Sequence, residues 1–181
     1  DPGAAYYSPR LANERSTTID CAANLSSTLG RKISVCDPYA GVGPALVPLA
    51  KRGDIIETIF GSDLNPKAVN LLELNLPGHW TGCIDARELS SELGECCDLL
   101  LVNLPHDFIS HLPELLGLLQ RGHEVVIRGW AILSLESLDN AEIQIRDVLS
   151  TCEIISLSLE PNRSYSPNDT YACIEVHLVI E

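Results

Sequence analysis

The sequence predicts an α/β fold: a doubly wound sheet of seven strands, mostly parallel, ending in an antiparallel C-terminal hairpin. Three observations carry this. Five short apolar runs, beginning at Ile33, Ile55, Trp80, Asp98 and Glu124, are the candidate parallel strands, with helical patterns between most of them. The last two runs, 152–159 and 171–180, alternate polar and apolar residues with no helix between them, as a hairpin does. Gly41, Asp63, Asp85 and Asn103 each follow a candidate strand, which places four turns together at the carboxyl ends of the strands, the ligand edge of a Rossmann-like sheet.

The elements follow in order. Residues 1–16 carry turn signals, Asp1-Pro-Gly3 and Ser8-Pro9, and read as an arm leading into a helix over about 14–29. Ile33 to Asp37 is a buried parallel strand. Pro44 suits the first position of a helix running to about Arg52. A second strand spans Ile55 to Asp63; Asn65 then serves as N-cap and Pro66 as first residue of a helix to Leu76, broken by Pro77-Gly78. The third strand, Trp80 to Ile84, ends at Asp85, and the fourth runs from Asp98 to Asn103. A helix from Phe108 to Gln120 stops before Gly122; Glu124 to Arg128 is the fifth strand, and Glu136 to Ser150 is a helix. The expected organisation is an arm and helix over 1–30 leading into one catalytic domain over 31–181.

The chain has 181 residues, 45% of them hydrophobic, enough for one domain with a substantial core. No apolar run reaches the roughly 18 residues of a membrane span, and no secretory pattern opens the chain, so a cytoplasmic location is expected. It begins at Asp1 rather than Met, which suggests that further N-terminal modules precede it. The seven cysteines mostly fall in apolar strands and read as buried reduced thiols. Cys96 and Cys97 are adjacent, which departs from CxxC spacing, and no metal site is expected. A net charge of −13 argues against a stand-alone nucleic-acid binder, which normally carries a basic face.

Chemistry concentrates in the turns. In Asp37-Pro-Tyr-Ala-Gly-Val-Gly-Pro44 two glycines let the backbone approach a ligand closely, and the following helix presents unpaired N–H groups. Asp63, about twenty residues on, is placed to grip ribose hydroxyls, which makes an adenosine-cofactor site.

These segments resemble the class I S-adenosylmethionine-dependent methyltransferases. More narrowly, they are similar to the Met-10-like group that includes the archaeal and eukaryotic tRNA guanine-37 N1-methyltransferases. The resemblance rests on Ser8-Pro-Arg-Leu-Ala-Asn-Glu-Arg15, Asp37 to Pro44, Asp63-Leu-Asn-Pro66, Asp85-Ala-Arg87, Asn103-Leu-Pro105 and Ser164-Tyr-Ser-Pro167, and so covers nearly the whole chain. It implies a cofactor site built from Asp37, Tyr39, Gly41, Gly43, Asp63, Leu64, Asp85, Ala86 and Asn103. There the glycines pass under the methionine portion, Asp63 holds the ribose, Leu64 flanks the adenine, and Asp85 with Ala86 reads its amino group. Asn103 and Pro105 stand where related enzymes orient the methyl-accepting nitrogen. Glu14 takes the place of the general base that removes the guanine N1 proton; on sequence alone it equally suits the first turn of a helix. Arg15 and Arg10 pair with the cofactor carboxylate, with a tRNA phosphate, or in surface salt bridges. Tyr165 and Trp130 either stack on an extruded base or pack, and His106 adjoins the target turn.

The implied function is methylation of guanosine 37 of tRNA. Two alternatives stay open: an aminocarboxypropyl transferase of wyosine formation using the same cofactor, and a non-catalytic relative in RNA processing. Arg128-Gly-Trp130 matches no family pattern, and Pro77-Gly-His79 shortens the region before the third strand.

Overall fold

A computed structural model describes residues 12–181. The predicted arm, with Arg10 and the Ser8-Pro9-Arg10-Leu11 part of the resemblance, lies outside the described residues. Seven strands form one sheet in the order β3-β2-β1-β4-β5-β7-β6, the predicted doubly wound, mostly parallel architecture. β1 (Ile33–Asp37) pairs in parallel with β2 (Ile56–Ser62) on one side and β4 (Leu99–Val102) on the other. The chain direction of growth reverses between those neighbours, which opens a crevice at their carboxyl ends. β3 (Trp80–Gly82) flanks β2, and β5 (Glu124–Ser134) flanks β4. β7 (Asp169–Val179) inserts antiparallel between β5 and β6 (Glu153–Ser164).

Helices cover both faces because the parallel strands are apolar on both sides. α1 (Ala12–Leu29), α2 (Leu46–Ala50) and α3 (Pro66–Asn75) close one core around Ala22, Leu25, Val35, Leu46, Ile59 and Leu72. On the other face α4 (Leu89–Leu93), α5 (Phe108–Leu115) and α6 (Leu138–Val148) pack around Leu100, Phe108, Ile127, Ile145 and Val176. Asn65 caps α3 as predicted, its side chain accepting the Lys67 N–H at 3.0 Å.

Several boundaries move. The regular part of α2 starts at Leu46, yet the Val47 N–H already donates to the Gly43 carbonyl at 2.9 Å, so Pro44 does sit in the opening turn. α5 ends at Leu115 and passes into a 3₁₀ turn, because the Leu118 carbonyl turns to accept the Cys96 and Cys97 N–H groups. α4 had no counterpart in the sequence reading.

The largest correction is β5, which continues to Ser134 rather than stopping at Arg128. Its whole length pairs with β7, from Glu124 opposite Val179 to Ser134 opposite Asp169. The strand continues through Gly129, where glycine is required by close approach: an added Cβ would lie 2.6 Å from the Val102 carbonyl oxygen and collide with the Phe108 ring. β6 likewise runs on to Ser164, with a register shift between Pro161 and Arg163 that leaves Asn162 as the extra, bulged residue.

Candidate functional site

The four predicted turns do converge at the carboxyl edge. Asp37 ends β1 almost fully buried, its Oδ1 accepting the Tyr39 N–H at 3.0 Å. Burial pushes this carboxyl up to about 7, against the Tyr39 hydrogen bond, with the Asp63 charge adding to the rise. Gly41 and Gly43 both take positive φ, 56° and 85°, the left-handed conformation glycine adopts freely. The Gly41 N–H donates to Asp63 Oδ2 at 2.8 Å, and the Asn65 N–H to Asp63 Oδ1 at 2.8 Å. One carboxylate therefore fixes the glycine turn and the start of α3. An ionised carboxylate has about four lone-pair positions, so Asp63 retains acceptor capacity for two hydroxyls. A Cβ added to Gly41 would meet nothing within 4 Å, so the turn faces open space. Glycine backbone, a free face and a carboxylate with spare acceptors form a donor set that fits a ribose-bearing cofactor.

The other predicted residues divide. Leu64 stands 69% exposed beside this edge. Ala86 is buried in the core. Asp85 is engaged by Arg87, Nε at 3.0 Å and Nη2 at 2.6 Å, and these bonds, with the Arg87 N–H, hold its carboxyl well below the usual range. The Tyr39 hydroxyl hydrogen-bonds to His111 Nδ1 at 2.8 Å, and burial pushes the phenol upward.

Glu14 lies across the crevice, in the first turn of α1. It and Asn103, 89 positions apart in the chain, line the same small cavity of about 40 Å³ with Arg15, Thr18, Pro44, Ala45, Trp130 and Tyr171. Pro105 is not among them; its carbonyl accepts the Ile132 N–H at 2.8 Å and ties the Asn103-Leu104-Pro105 turn to β5. The Glu14 carboxylate is nearly buried and each oxygen has a donor: Oε2 accepts from the Trp130 indole at 2.8 Å, Oε1 from the Asn162 amide. Arg128 stands 3.9 Å away, itself held by Thr17, Thr18 and Glu175. On the far side of Glu14 opens a wider polar cleft of about 470 Å³, reached by Asp20, Asn24, Arg128, Glu160 and Glu175.

The Glu14 partners were the part missed in the sequence. Trp130 packs, at 5% exposure, and it does so with its indole N–H aimed at Glu14. Asn162 carried no signal, since its direction comes from the β6 bulge, a device that re-aims a side chain. Tyr165, by contrast, is 59% exposed and meets His106 edge-on at 6.4 Å, beside the Asn103-Leu104-Pro105 turn.

No protein-family model matches the chain. In sequence it is similar to the tRNA (guanine(37)-N(1))-methyltransferase Trm5b of Pyrococcus abyssi, 32% identical over 119 residues, covering 61% of this chain and 32% of that protein. The Anopheles gambiae tRNA (guanine(37)-N(1))-methyltransferase is 29% identical over 147 residues, 71% of this chain and 24% of its own length. The chain thus spans a third or less of these two relatives. Among solved structures, wild-type Trm5b of P. abyssi superposes with a TM-score of 0.74 at 24% identity, over 97% of this chain and 51% of that one. M. jannaschii TYW2 in complex with AdoMet gives 0.74 at 18% identity, over 91% and 76%. These structures share the fold, and the sequence matches bear out the resemblance to the tRNA guanine-37 N1-methyltransferases. Among the described residues no helix is long and apolar enough to cross a membrane.

Proposed function

We propose that the chain is the catalytic part of a tRNA (guanine-37-N1)-methyltransferase that uses S-adenosylmethionine and works in the cytoplasm. Residues 31–181 would form the methyltransferase domain, led into by the arm and helix of 1–30, with tRNA grip completed by modules beyond this chain. The observation that carries the reading is the meeting of Glu14 and Asn103 at one cavity beside the glycine turn. A carboxylate for the N1 proton, an amide to orient the base and a cofactor cradle are the three parts this chemistry requires.

When bound, S-adenosylmethionine supplies an electrophilic methyl group. Asp63 would accept from the ribose hydroxyls, the Gly41–Gly43 backbone would hold the methionine portion, and Leu64, Asp85 and Ala86 would border the adenine. Asp37 and Tyr39 shape the turn, and Arg15 would neutralise the cofactor carboxylate or a tRNA phosphate. On the substrate side Asn103 and the Pro105 turn orient the guanine, and Glu14 takes its N1 proton so that the nitrogen becomes nucleophilic. Trp130 and Asn162 hold the Glu14 carboxylate in place, while Tyr165 and His106 offer an exposed aromatic pair for an extruded base. The sequence relatives named above favour methyl transfer over aminocarboxypropyl transfer.

The test begins with calorimetric titration of S-adenosylmethionine and adenosylhomocysteine into the wild type and Asp63→Ala. Micromolar binding lost in the variant supports the cofactor site. A folded wild type that binds neither would overturn the enzymatic reading.

A further inference from the structure

Beneath the cofactor edge, on the face of the sheet covered by α4 and α5, three cysteines from two segments meet. Cys36 belongs to β1, one residue before Asp37; Cys96 and Cys97 lie just before β4. Their sulfur atoms all lie within 4.8 Å of one another. Cys36 and Cys97 are fully enclosed and Cys96 keeps 8% exposure. Adjacent residues of a strand point to opposite faces, so neighbouring cysteines give no sign in the sequence of acting together. Here Cys97 makes only an isolated bridge, to Leu119, before β4 begins. The Cys96 and Cys97 N–H groups both donate to the Leu118 carbonyl, at 2.8 and 3.0 Å, and the Gln120 N–H donates to the Cys97 carbonyl at 2.9 Å. The backbone carrying two of the sulfurs is thereby fixed.

We propose that Cys36, Cys96 and Cys97 form a binding site for a soft monovalent cation of the copper(I) class, coordinated by three sulfurs. Thiolate sulfur selects soft ions over hard ones. Structural zinc takes four ligands, and among the described residues no fourth histidine, cysteine or carboxylate joins the group. The surroundings are apolar, with Ala86, Leu89, Leu100 and Leu118 in the same core, and the Cys97 thiol donates to the Leu118 carbonyl at 3.3 Å. With metal–sulfur bonds of about 2.3 Å, a planar three-sulfur site needs edges of about 4 Å, so the triangle has to contract by less than about 1 Å. Each thiol that coordinates as thiolate gives its proton to water, so affinity rises with pH. Cys96 is the sulfur nearest to solvent and the point of entry.

The experiment is an anaerobic titration of the fully reduced chain with copper(I), against a chromophoric copper(I) chelator. X-ray absorption on the loaded protein then counts the sulfur neighbours. The expected result is one tightly held ion per chain with three sulfur neighbours, affinity reduced at least about a hundredfold in Cys96→Ala, and unchanged affinity in Cys83→Ser, which removes an exposed thiol. Alkylation of the metal-free and loaded wild type, followed by peptide mapping, gives a reading independent of any variant's folding: loading should slow labelling of Cys96, while the buried Cys21 should label equally in both. No tight ion, labelling of Cys96 unchanged by loading, or a disulfide within the trio in place of a bound ion would each overturn the proposal.

Discussion

The indole N–H of Trp130 donates to the Glu14 carboxylate at 2.8 Å, joining residues 116 positions apart. The bond crosses from the first turn of α1 to the middle of β5 and fixes where that carboxylate points. Two variants separate its chemistry from its packing. Glu14→Gln keeps the shape and should lower methylation of tRNA by about 10²–10⁴-fold, with the affinity for S-adenosylmethionine unchanged. Trp130→Phe keeps most of the apolar contact and loses the donor. It should lower kcat about tenfold and stability by about 1–2 kcal/mol, again with cofactor affinity unchanged. Loss of cofactor binding in either variant would place Glu14 elsewhere than on the substrate side.

The two glycines of the turn should fail differently. Gly43 has φ 85°, and an added Cβ would stand 2.9 Å from Leu72 Cδ1, so Gly43→Ala combines backbone strain with overpacking and should cost about 2–4 kcal/mol. Gly41 has φ 56° but faces open space, so Gly41→Ala should cost only about 1–2 kcal/mol. Its methyl group would stand in the proposed cofactor space. Urea unfolding and calorimetry on both variants should therefore find Gly41→Ala the weaker cofactor binder and Gly43→Ala the less stable protein.

Asp37 gives a pH dependence with a definite sign. Its carboxyl is raised from 3.8 to about 7, chiefly by burial, so between those values the folded state keeps a proton that the unfolded state loses. The stability Asp37 contributes should fall as pH rises through that window, by about 1.4 kcal/mol per pH unit and about 4 kcal/mol in all. Unfolding of the wild type and Asp37→Asn across the same range checks this. The stability of the wild type relative to the variant should decline with pH; a constant difference would mean that the acid ionises equally in both states.

Asp98 is a structural clamp. Its side chain is fully buried and accepts from the Ser34 N–H at 2.8 Å, from Arg31 at 2.7 and 3.1 Å, and meets His123 at 2.8 Å. Burial alone would raise its carboxyl; the Arg31 bonds, the Ser34 N–H and His123 outweigh it and hold the group below the usual range. Asp98→Ala should lower stability by about 2–3 kcal/mol, read as a shifted urea midpoint, with cofactor affinity intact.

The net charge of −13 sets the expectation for RNA. Binding of tRNA by this chain alone should be weak and should fall steeply with salt, because few cations are available to displace counterions from phosphate. Filter binding or anisotropy across a salt series measures it, and tight binding persisting at about 0.2 M salt would contradict the expectation.

Local chemistry made much of the molecule legible. Ile33 to Asp37, the Asn65 cap with Pro66, and the alternating last strands each carry their signal within a few residues, so periodicity and turn chemistry placed them. Gly41, Asp63, Asp85 and Asn103 fell on one edge because strand ends share an edge in any doubly wound sheet. Three things depended on contacts between distant segments. β5 runs past Gly129 because β7 lies alongside it and Phe108 presses on the glycine. Asn162 turns toward Glu14 because a bulge in β6 re-aims it. Cys36 meets Cys96 and Cys97 because the Leu118 carbonyl, accepting both their N–H groups, fixes the backbone that carries the two neighbouring sulfurs. The sequence by itself determined the order of the strands and the edge where their carboxyl ends meet, since these follow from residue patterns along the chain. The tertiary structure decided the setting of Glu14 and the grouping of the three sulfurs, since those depend on side-chain directions that only packing between non-adjacent elements can fix.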